Sequence, residues 1–291
     1  MDSGILNVAK PVGFSSFAVV RSIGRLPGVA KVGHGGTLDP AAEGVLPILV
    51  NAATRLADFV HDWPKTYVAT AAFGFTSDTY DREGVVSRHT DTVAITADEI
   101  VAALARFIGR IGQVPPMHSA LKLQGEALYR KARRGETVVR EPRPVDVYAI
   151  TLLDYDAARA TARLEIVSGQ GMYVRSLVHD LGQRLGCGAY LLALTRSAYG
   201  PLRLEDALSP AVLEAAGVDW PRHLLPMELP LRDWPRLSLD PADAASVVQG
   251  RGISVPRAAE GRYRLVDAAD TLLGWGVVAA GRLQPKAIFP R

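Results

Sequence analysis

A glycine-rich segment that ends in an aspartate and a proline carries the strongest chemical signal in this sequence. It spans residues 31 to 40 and reads KVGHGGTLDP. Three glycines in four positions would let the backbone approach a ligand closely. Because Pro40 follows Asp39, the aspartate is expected in an extended or turn conformation. A short carboxylate on such a loop can serve as a nucleophile or as a general acid or base, and a plain Asp-Pro turn is the structural alternative.

Two common nucleotide-binding loops do not fit this segment. A Walker loop ends in Gly-Lys-Ser or Gly-Lys-Thr, and a dinucleotide fingerprint needs glycine where this chain has Leu38. A second acidic cluster at Asp78, Asp81 and Glu83 could hold Mg²⁺ and would then indicate a metal-dependent phosphoesterase. Because Gly84 follows at once, we interpret that cluster as a solvated loop between strands. The six histidines are scattered and there is one cysteine, so no zinc site is predicted.

With its surroundings, the segment at residues 33 to 40 resembles the signature of the bacterial tRNA pseudouridine-55 synthases, the TruB family. Residues 4 to 16, which read GILNVAKPVGFSS, resemble the opening of that family. Further matching segments follow in the same order, at residues 43–47, 65–67, 76–81, 115–122, 140–148, 171–175 and 180–182. The chain departs from the family pattern at Gly35, where Thr or Ala is more common, and at Met172, where Thr is common. These departures bear on the geometry of the loops.

The resemblance implies an enzyme that converts a uridine in the T arm of tRNA into pseudouridine. The reaction breaks the bond between N1 and C1′, rotates the uracil and rejoins it through C5. It needs no redox step and no phosphate transfer, so we expect no cofactor and no metal. A stacked base must first be flipped out of its helix. Asp39 is the implied catalytic carboxylate, and the sequence leaves open whether it acts on C1′, on C6 or on a sugar proton.

The resemblance also implies roles for other residues of the pocket. Arg175 is the cationic partner that keeps Asp39 ionised. Tyr67 lies against the target base and helps to remove the proton from C5, although a core aromatic on a strand is the structural alternative. Three further substrate contacts are implied. His34 takes part in holding the flipped RNA loop, Tyr173 is a second tyrosine of the pocket, and Leu194 is an apolar contact in its wall.

Basic residues give a weaker signal for RNA binding. The net charge is +3 and the isoelectric point is about 9.0, a mild bias that permits a polyanionic partner without requiring one. A basic cluster on and after the helix predicted at residues 126–134 could contact phosphates, and a solvated helix face is the alternative. It comprises Arg130, Lys131, Arg133, Arg134, Arg140 and Arg143, of which Arg130 and Arg134 are our candidates for substrate binding.

These features predict a cytoplasmic enzyme that acts on tRNA. With the single cysteine Cys187, no intramolecular disulfide can form. The N-terminus lacks the features of a signal peptide, and no apolar run approaches the roughly 20 residues that span a bilayer. We expect a monomer with no membrane association and no obligate protein partner. A tRNA-binding module without chemistry is the alternative, and the presence of Asp39, Tyr67 and Arg175 disfavours it.

Mixed strand and helix patterns must position these residues. Strands are predicted at residues 5–8, 45–50, 65–75, 145–153 and 161–167, and helices at about 16–25, 96–108, 126–134 and 174–185. Ser15 or Ser16 could cap the helix at 16–25, and Thr96 with Glu99 forms a capping-box pattern at the start of the helix at 96–108. Two of the helices have one apolar face, formed by Ile100, Val101, Leu104 and Ile108 and by Val174, Leu177, Val178, Leu181 and Leu185. The absence of a regular βαβ rhythm indicates an α+β fold. By resemblance, this is the pseudouridine synthase fold, with a central mixed or antiparallel sheet flanked by helices.

Two domains are expected. Residues 1–235 form the catalytic domain, which includes a proline-rich connector from about residue 201. Residues 236–291 form a small β-rich domain that loosely resembles the PUA type of RNA-binding domain. Within it, we predict a helix at 241–249 and strands around Ile253, at 263–266 and at 272–279.

Overall fold

The structure is a computed structural model of the chain and describes residues 2–119, 121–123, 125–136 and 138–289. The helices are α1 (Ser16–Ile23), α2 (Ala57–His61), α3 (Ala97–Leu104), α4 (Leu128–Arg133), α5 (Val174–Arg184), α6 (Pro210–Ala215) and α7 (Pro241–Val248). The strands before residue 130 are β1 (Gly4–Lys10), β2 (Val32–His34), β3 (Glu43–Val50), β4 (Lys65–Phe73), β5 (Phe75–Ser77), β6 (Val86–Arg88), β7 (Gly109–Gln113), β8 (Lys122–Leu123) and β9 (Glu126–Ala127). The later strands are β10 (Arg143–Asp156), β11 (Thr161–Ser168), β12 (Ala189–Tyr199), β13 (Leu202–Arg203), β14 (Arg236–Ser238), β15 (Ile253–Ser254), β16 (Gly261–Val266), β17 (Leu272–Ala279) and β18 (Arg282–Ile288).

A mixed sheet forms the centre of the larger, N-terminal part of the chain. Its main path runs β1-β3-β12-β4-β11-β10-β7, with β2 beside β3 and β13 beside β12. The pair β3 and β12 is parallel, and the other pairs along this path are antiparallel. The predicted α+β class with a central mixed sheet is therefore confirmed.

Helix α5 packs its apolar stripe against this sheet, as its sequence period predicts. Val174, Leu177, Val178 and Leu181 recur every three or four residues, and all four are buried in the largest apolar cluster. Strands β4 and β11 supply the facing residues of that cluster, together with α3. The helix is thus fixed along its whole length, and so is the position of Arg175 in its first turn.

Helix α1 packs at the other end of the sheet. Ser15 is its N-cap and accepts a hydrogen bond from the backbone N–H of Ala18 at 3.1 Å, as the sequence predicts. Val19 and Ile23 lie in a second apolar cluster, which also contains Trp220 from the segment after α6. The helix is therefore held by one face, and its opposite face is left in solvent.

The predicted capping box at the start of α3 is present, but the helix is shorter than its pattern indicated. Thr96 accepts from the backbone N–H of Glu99, and the Glu99 carboxylate accepts from that of Thr96. The helix ends at Leu104, so Ile108 does not extend its apolar face. Val101 is exposed as well, because that position faces away from the sheet.

Other boundaries differ from prediction for local reasons. The helix predicted at residues 126–134 begins at Leu128 rather than at Glu126, because residues 126–127 pair as a strand with residues 122–123. The glycine-rich segment contains the short strand β2, which pairs with β3. The strand predicted through residue 75 is interrupted at Gly74, where φ is +88°. Strand β12, in the middle of the sheet, was not predicted.

Five strands and one helix form a separate β-rich layer at the C-terminal end. The order is β14-β16-β17-β18-β15, and α7 packs on this sheet. Edge-to-face contacts join it to the rest of the protein, because Phe59 packs against Trp234 at 5.0 Å and Trp275 at 5.1 Å between ring centroids. Arg55 also donates a hydrogen bond to the Ile288 carbonyl. Among the described residues, no helix has the length and apolar character needed to cross a membrane.

Candidate active site

A cavity of about 660 Å³ opens between the loop that ends β2 and the first turn of α5. Strands β4 and β12 form its floor. Five of the residues predicted for the site line this cavity, namely Asp39, Tyr67, Tyr173, Arg175 and Leu194. They come from four elements that lie far apart in the sequence, and the fold places these five side chains around one cavity.

The Asp39 carboxylate is paired with Arg175 inside the cavity. Asp39 Oδ2 lies 2.9 Å from Arg175 Nη2, and Arg175 Nε lies 3.5 Å from Asp81 Oδ2. The side chains of Arg175 and Asp81 are 5% and 8% exposed, whereas that of Asp39 is 39% exposed. One guanidinium therefore bridges a buried carboxylate to a carboxylate that faces the cavity.

Backbone groups hold both buried members of this network in place. Arg175 Nη2 donates to the His118 carbonyl at 2.9 Å, and Nη1 donates to the Thr79 carbonyl at 3.4 Å. Asp81 Oδ1 accepts from the Thr79 hydroxyl at 2.6 Å and from the Glu83 backbone N–H at 3.0 Å. Because the guanidinium donates in four directions, its plane is fixed and it holds the Asp39 carboxylate in one orientation.

Burial raises the pKa of Asp39 above its ordinary value of 3.8, and the negative charge of Asp81 raises it further. The positive charges of Arg175 and Lys10 oppose this rise. A carboxylate with a raised pKa is a stronger base than an exposed aspartate. Burial favours the neutral acid form of Asp39, and the guanidinium beside it favours the carboxylate.

Gly13, which lies between β1 and α1, and Ser16, the first residue of α1, fix the backbone around Asp39. The Ser16 hydroxyl donates to the Leu38 carbonyl at 2.9 Å and accepts from the Leu38 N–H at 2.8 Å. The Gly13 N–H donates to the Pro40 carbonyl at 2.8 Å. Both neighbours of Asp39 are therefore tied to the same N-terminal segment, which accounts for the matching motif at residues 4–16.

The glycines of the loop are needed for close packing within the protein. A Cβ at Gly35 would lie 2.5 Å from Val60 Cγ1, and a Cβ at Gly36 would lie 2.9 Å from the Tyr199 hydroxyl oxygen. Gly36 also has φ of +154°, which disfavours other residues. Tyr199 donates a hydrogen bond to the Gly35 carbonyl. The departure from the family pattern at Gly35 is thus matched by a large neighbour at Val60.

Three buried cations surround the loop and were not predicted as site residues. Arg196 donates to the carbonyls of Val45 at 2.7 Å and Gly36 at 3.0 Å. Lys10 donates to the Phe14 carbonyl at 2.6 Å, and burial lowers its pKa to about 8. Burial likewise lowers the pKa of Lys65 to about 8. Lys10 and Lys65 lie at the ends of strands β1 and β4, where basic side chains are usually exposed, and Arg196 lies inside β12, so the sequence alone does not indicate that these three side chains are buried.

The aromatic and apolar contacts have the positions that the resemblance implied. Tyr67 and Leu194 lie on the neighbouring strands β4 and β12, and both face the cavity. Tyr173 precedes α5, and the buried side-chain amide of Gln113 clamps its backbone. Gln113 Oε1 accepts from the Tyr173 N–H at 2.8 Å, and Nε2 donates to the Tyr173 carbonyl at 3.0 Å. Sequence reasoning missed this glutamine.

His34 lies at the end of β2, and it is not among the described residues that line the cavity. Its Nδ1 accepts a hydrogen bond from the Gly36 N–H at 3.2 Å. Burial lowers the pKa of His34, with smaller effects of His61 and Arg196, so the ring is neutral at pH 7 and can accept this bond. In this structure His34 supports the loop, whereas His61 lines the cavity.

The basic helix lies beside the cavity, because Tyr129 on α4 lines it. Arg134 makes a bidentate pair with Glu126 at 2.6 and 3.0 Å and also contacts Glu136 at 2.7 Å. Arg130 is exposed and donates to the Tyr129 hydroxyl at 3.4 Å. Arg130 thus remains the more accessible of the two candidates, and the side chain of Arg133 lies outside the described residues.

The acidic cluster is occupied by protein contacts. Asp81 pairs with Arg175, and Asp78 Oδ1 accepts from the Val85 N–H at 2.8 Å. Within the described ranges, no group of three or more His, Cys, Asp or Glu side chains could hold a metal ion. The structure therefore gives no support to a Mg²⁺-dependent phosphoesterase. The interpretation of Asp81 as a solvated loop residue was wrong, because it is buried at the active site.

Solved structures share this fold. A chain of a Cbf5-Nop10-Gar1 complex is similar over 99% of this chain and 85% of its own length, with a TM-score of 0.74 and 24% identity. A structure of an H/ACA RNP bound to a substrate RNA containing 2′-deoxyuridine has a TM-score of 0.73 at 24% identity, and it covers the same shares of both chains. These likenesses concern the fold of the whole chain.

Sequence comparisons are more specific. Residues 25–174 match the model of the TruB family pseudouridylate synthase N-terminal domain, and residues 235–289 match that of the pseudouridine synthase II TruB C-terminal domain. A tRNA pseudouridine synthase B of Dehalococcoides mccartyi is 43% identical over 87% of this chain and 85% of its own. One from Xanthomonas campestris is 41% identical over 98% and 94%.

The matching family models and relatives define the class of this protein as a pseudouridine synthase, an isomerase. The chain belongs to the TruB family of these enzymes. The family membership predicted from the motif around Asp39 is therefore confirmed.

Proposed function

We propose that this enzyme converts uridine 55 in the T loop of tRNA into pseudouridine, with Asp39 as its catalytic carboxylate. The observation that carries the proposal is the Asp39 side chain, which is partly exposed to a cavity and held by the buried Arg175 at 2.9 Å. The names of the relatives as tRNA pseudouridine synthases support tRNA as the substrate. A tRNA substrate also agrees with the cytoplasmic location expected from the sequence.

The reaction needs only groups that this cavity supplies. The bond between N1 and C1′ breaks, a bond between C5 and C1′ forms, C5 loses a proton and N1 gains one. An ionised Asp39 can begin this sequence by attack on C1′ or C6 or by removal of a sugar proton, and Arg175 keeps it ionised in each case. The balance requires no oxidant, reductant or phosphate donor.

Tyr67 provides a surface for the uracil ring. Tyr67 lies on β4 and lines the same cavity as Asp39, and 9% of its surface is exposed. A ring in this position can stack on a base, and its hydroxyl can relay the proton that leaves C5. Leu194 and Tyr173 complete the walls, so the base is shielded from water while its bond to the sugar is open.

A base inside this cavity must have left its stack in the RNA, because a paired helix is too wide to enter. Extrusion of a base costs a few kcal/mol, and contacts elsewhere on the protein must offset it. His34 and Arg130 are the candidates near the cavity for holding the distorted loop. We further propose that residues 1–235 act as the catalytic domain and 236–291 as a PUA-like RNA-binding domain.

The test is to incubate the protein with an unmodified tRNA transcript and to map pseudouridine by position. We expect product at uridine 55, no product from a transcript with cytidine there, and no effect of EDTA. Asp39→Asn should lose at least about a thousandfold in rate, because the variant has no anionic oxygen, while its affinity for tRNA survives. The matched control is Asp154→Asn, an exposed aspartate on β10. Full turnover by Asp39→Asn would refute the assignment.

A truncation tests the role proposed for the C-terminal domain. Removal of residues from about 237 onward should weaken tRNA affinity more than it slows the chemical step. Because Trp275 packs against Phe59, the truncation would expose an apolar surface, and a Phe59→Ser change in the shortened chain compensates for this. Unchanged affinity of the shortened chain would contradict an RNA-binding role for this domain.

A further inference from the structure

The N-terminal segment that supports the catalytic loop has an unusual distribution of charge. Between residues 3 and 38 the sequence contains no aspartate or glutamate. The same stretch contains four basic residues, of which Lys10 is buried and three are exposed, namely Arg21, Arg25 and Lys31. An exposed basic stretch without acidic neighbours along the chain attracts polyanions.

Two aromatic rings lie exposed in the same segment. The residue Phe17 is 65% exposed and Phe14 is 53% exposed, although large apolar side chains are usually covered. The Arg21 guanidinium lies 5.4 Å from the centroid of the Phe17 ring. Phe17 and Arg21 are four residues apart on α1, and therefore lie on the face that points away from the protein core.

This aromatic-basic surface, formed by Phe14, Phe17, Arg21 and Arg25, lies next to the loop residues Leu38 and Pro40, which line the cavity. The hydrogen bond between Gly13 and Pro40 and the reciprocal bonds between Ser16 and Leu38 place it beside the catalytic loop. Phe14 and Phe17 are each one residue from these contacts. Whatever occupies the cavity must extend out of it, and this surface borders that exit.

The arginines of the surface are not neutralised by the protein. No carboxylate of the described residues lies within ion-pair distance of Arg21 or Arg25. Glu214 of α6 is near, but it accepts a hydrogen bond from Ser22 on the flank of α1. By contrast, Arg134 on the basic helix contacts two glutamates. The charge available for an outside partner is therefore greater on α1 than on α4.

We propose that the aromatic-basic surface binds the tRNA substrate outside the catalytic cavity. An unpaired base stacks on Phe17 or Phe14, and the guanidinium groups of Arg21 and Arg25 contact phosphates on either side. Aromatic rings alternating with arginines are the combination that binds unpaired RNA. The identity of the RNA rests on the proposed function, whereas the class of ligand rests on the charge and the exposed rings.

The experiment measures the affinity of the full-length protein for an unmodified tRNA transcript, with wild type, Phe17→Ala and Arg21→Ala. We expect Phe17→Ala to weaken binding about tenfold without a change in the salt dependence, because stacking is not ionic. Arg21→Ala should weaken binding by about three- to tenfold and lower the slope of log Kd against log salt by about one. Phe17→Trp should restore the affinity, because it keeps the aromatic face.

Matched controls come from exposed positions elsewhere. Val218, which is 77% exposed, is the control for Phe17, and Arg184 at the far end of α5 is the control for Arg21. Val218→Ala and Arg184→Ala should bind tRNA as wild type does. In steady-state assays the loss in the Phe17 and Arg21 variants should appear in KM rather than in kcat.

The outcomes separate this proposal from the proposed function. If the wild type forms pseudouridine but both Phe17→Ala and Arg21→Ala bind tRNA within twofold of wild type, the surface does not contact RNA. If the wild type forms no pseudouridine but the two variants lose tRNA affinity as expected, the surface is an RNA-binding site and the function is wrong. Equal losses in the Val218→Ala or Arg184→Ala controls would also overturn the proposal.

Discussion

The contact between Gly35 and Val60 gives a prediction that can be worked out from distances. A Cβ at position 35 would lie 2.5 Å from Val60 Cγ1 and 3.2 Å from Pro47 Cβ. Ordinary contacts begin at 3.4 Å, so the valine methyl must move by about 0.9 Å, the difference between 3.4 and 2.5 Å. Val60 is fully buried and cannot turn into solvent. Gly35→Ala should therefore destabilise the protein by about 1–3 kcal/mol.

A double-variant cycle isolates this overlap from other effects. Val60→Ala alone should cost about 2 kcal/mol, because it leaves a cavity. With both changes, the new methyl at position 35 occupies part of that cavity. The double variant should then be more stable than the sum of the two single changes by about 1–2 kcal/mol. A family pattern with Thr or Ala at this position implies a smaller residue opposite.

Urea denaturation of the four proteins measures the cycle, and kcat on tRNA reports whether the catalytic loop has moved. The control is Gly33→Ala, because a Cβ there meets only Thr54 Cγ2 at 4.0 Å and should change stability by less than about 1 kcal/mol. Equal effects of Gly33→Ala and Gly35→Ala, or strict additivity in the cycle, would refute the steric account.

Three further predictions concern the network around Asp39. The rate of pseudouridine formation should fall as pH is lowered, with an acid limb above the ordinary aspartate value of 3.8, because burial raises the pKa of Asp39. Asp81→Asn should move this limb to lower pH in a pH–rate profile, since it removes a negative charge that raises that pKa, and it should cost about 3 kcal/mol by leaving Arg175 with one fewer carboxylate; a limb that stays in place would contradict the coupling. Gln113→Ala should lower the free energy of unfolding by about 1–3 kcal/mol, because the Tyr173 N–H loses its partner and the Tyr173 C=O keeps only the Leu177 N–H. It should also lower kcat more than it raises KM. A variant with wild-type stability and kcat would show that the amide does not position the start of α5.

Local patterns predicted those elements in which the signal is carried by neighbouring residues. The capping box of Thr96 and Glu99, the N-cap at Ser15 and the apolar period of α5 depend on spacings of three or four residues, and all are present. The carboxylate and its guanidinium partner were also predicted, through motifs rather than through any property of Asp39 or Arg175 taken alone. The structure adds the geometry of the pair, with 2.9 Å between Asp39 Oδ2 and Arg175 Nη2.

Strand β12 escaped prediction because its pattern is irregular. Its pairing with β4 contains two register shifts, between Leu191 and Ala193 and between Arg196 and Ala198. Each shift reverses the faces to which the following side chains point, so the alternation that indicates a strand is lost. The strand also carries Arg196, a charged residue that is fully buried in the middle of the sheet. No local rule predicts a buried arginine.

Buried charges were missed for the same reason, because their partners come from distant parts of the chain. Asp81 was interpreted as a solvated loop residue, since nothing near it in the sequence indicates that a guanidinium from α5 will meet it. Arg196 likewise donates to the carbonyls of Val45 and Gly36, which lie 151 and 160 residues away in the sequence. Contacts between residues that are distant in the sequence thus decide which charged side chains are buried at the site. A single sequence predicts such contacts only where a known motif is recognised.

The packing of the glycine-rich loop explains why the Asp39 carboxylate is held so firmly. From the sequence, the glycines of this loop were interpreted as allowing a ligand to approach the backbone. In the structure, the space beside Gly35 and Gly36 is occupied by Val60 and Tyr199 of the protein itself. A loop packed in this way has little freedom to rearrange, and hydrogen bonds from Arg196 and Tyr199 restrict it further. Electrostatic catalysis depends on groups that are already oriented before the substrate arrives. Under the proposed function, the close packing behind the loop contributes to catalysis, because it fixes Asp39 relative to Arg175 and leaves the uridine as the part that must move.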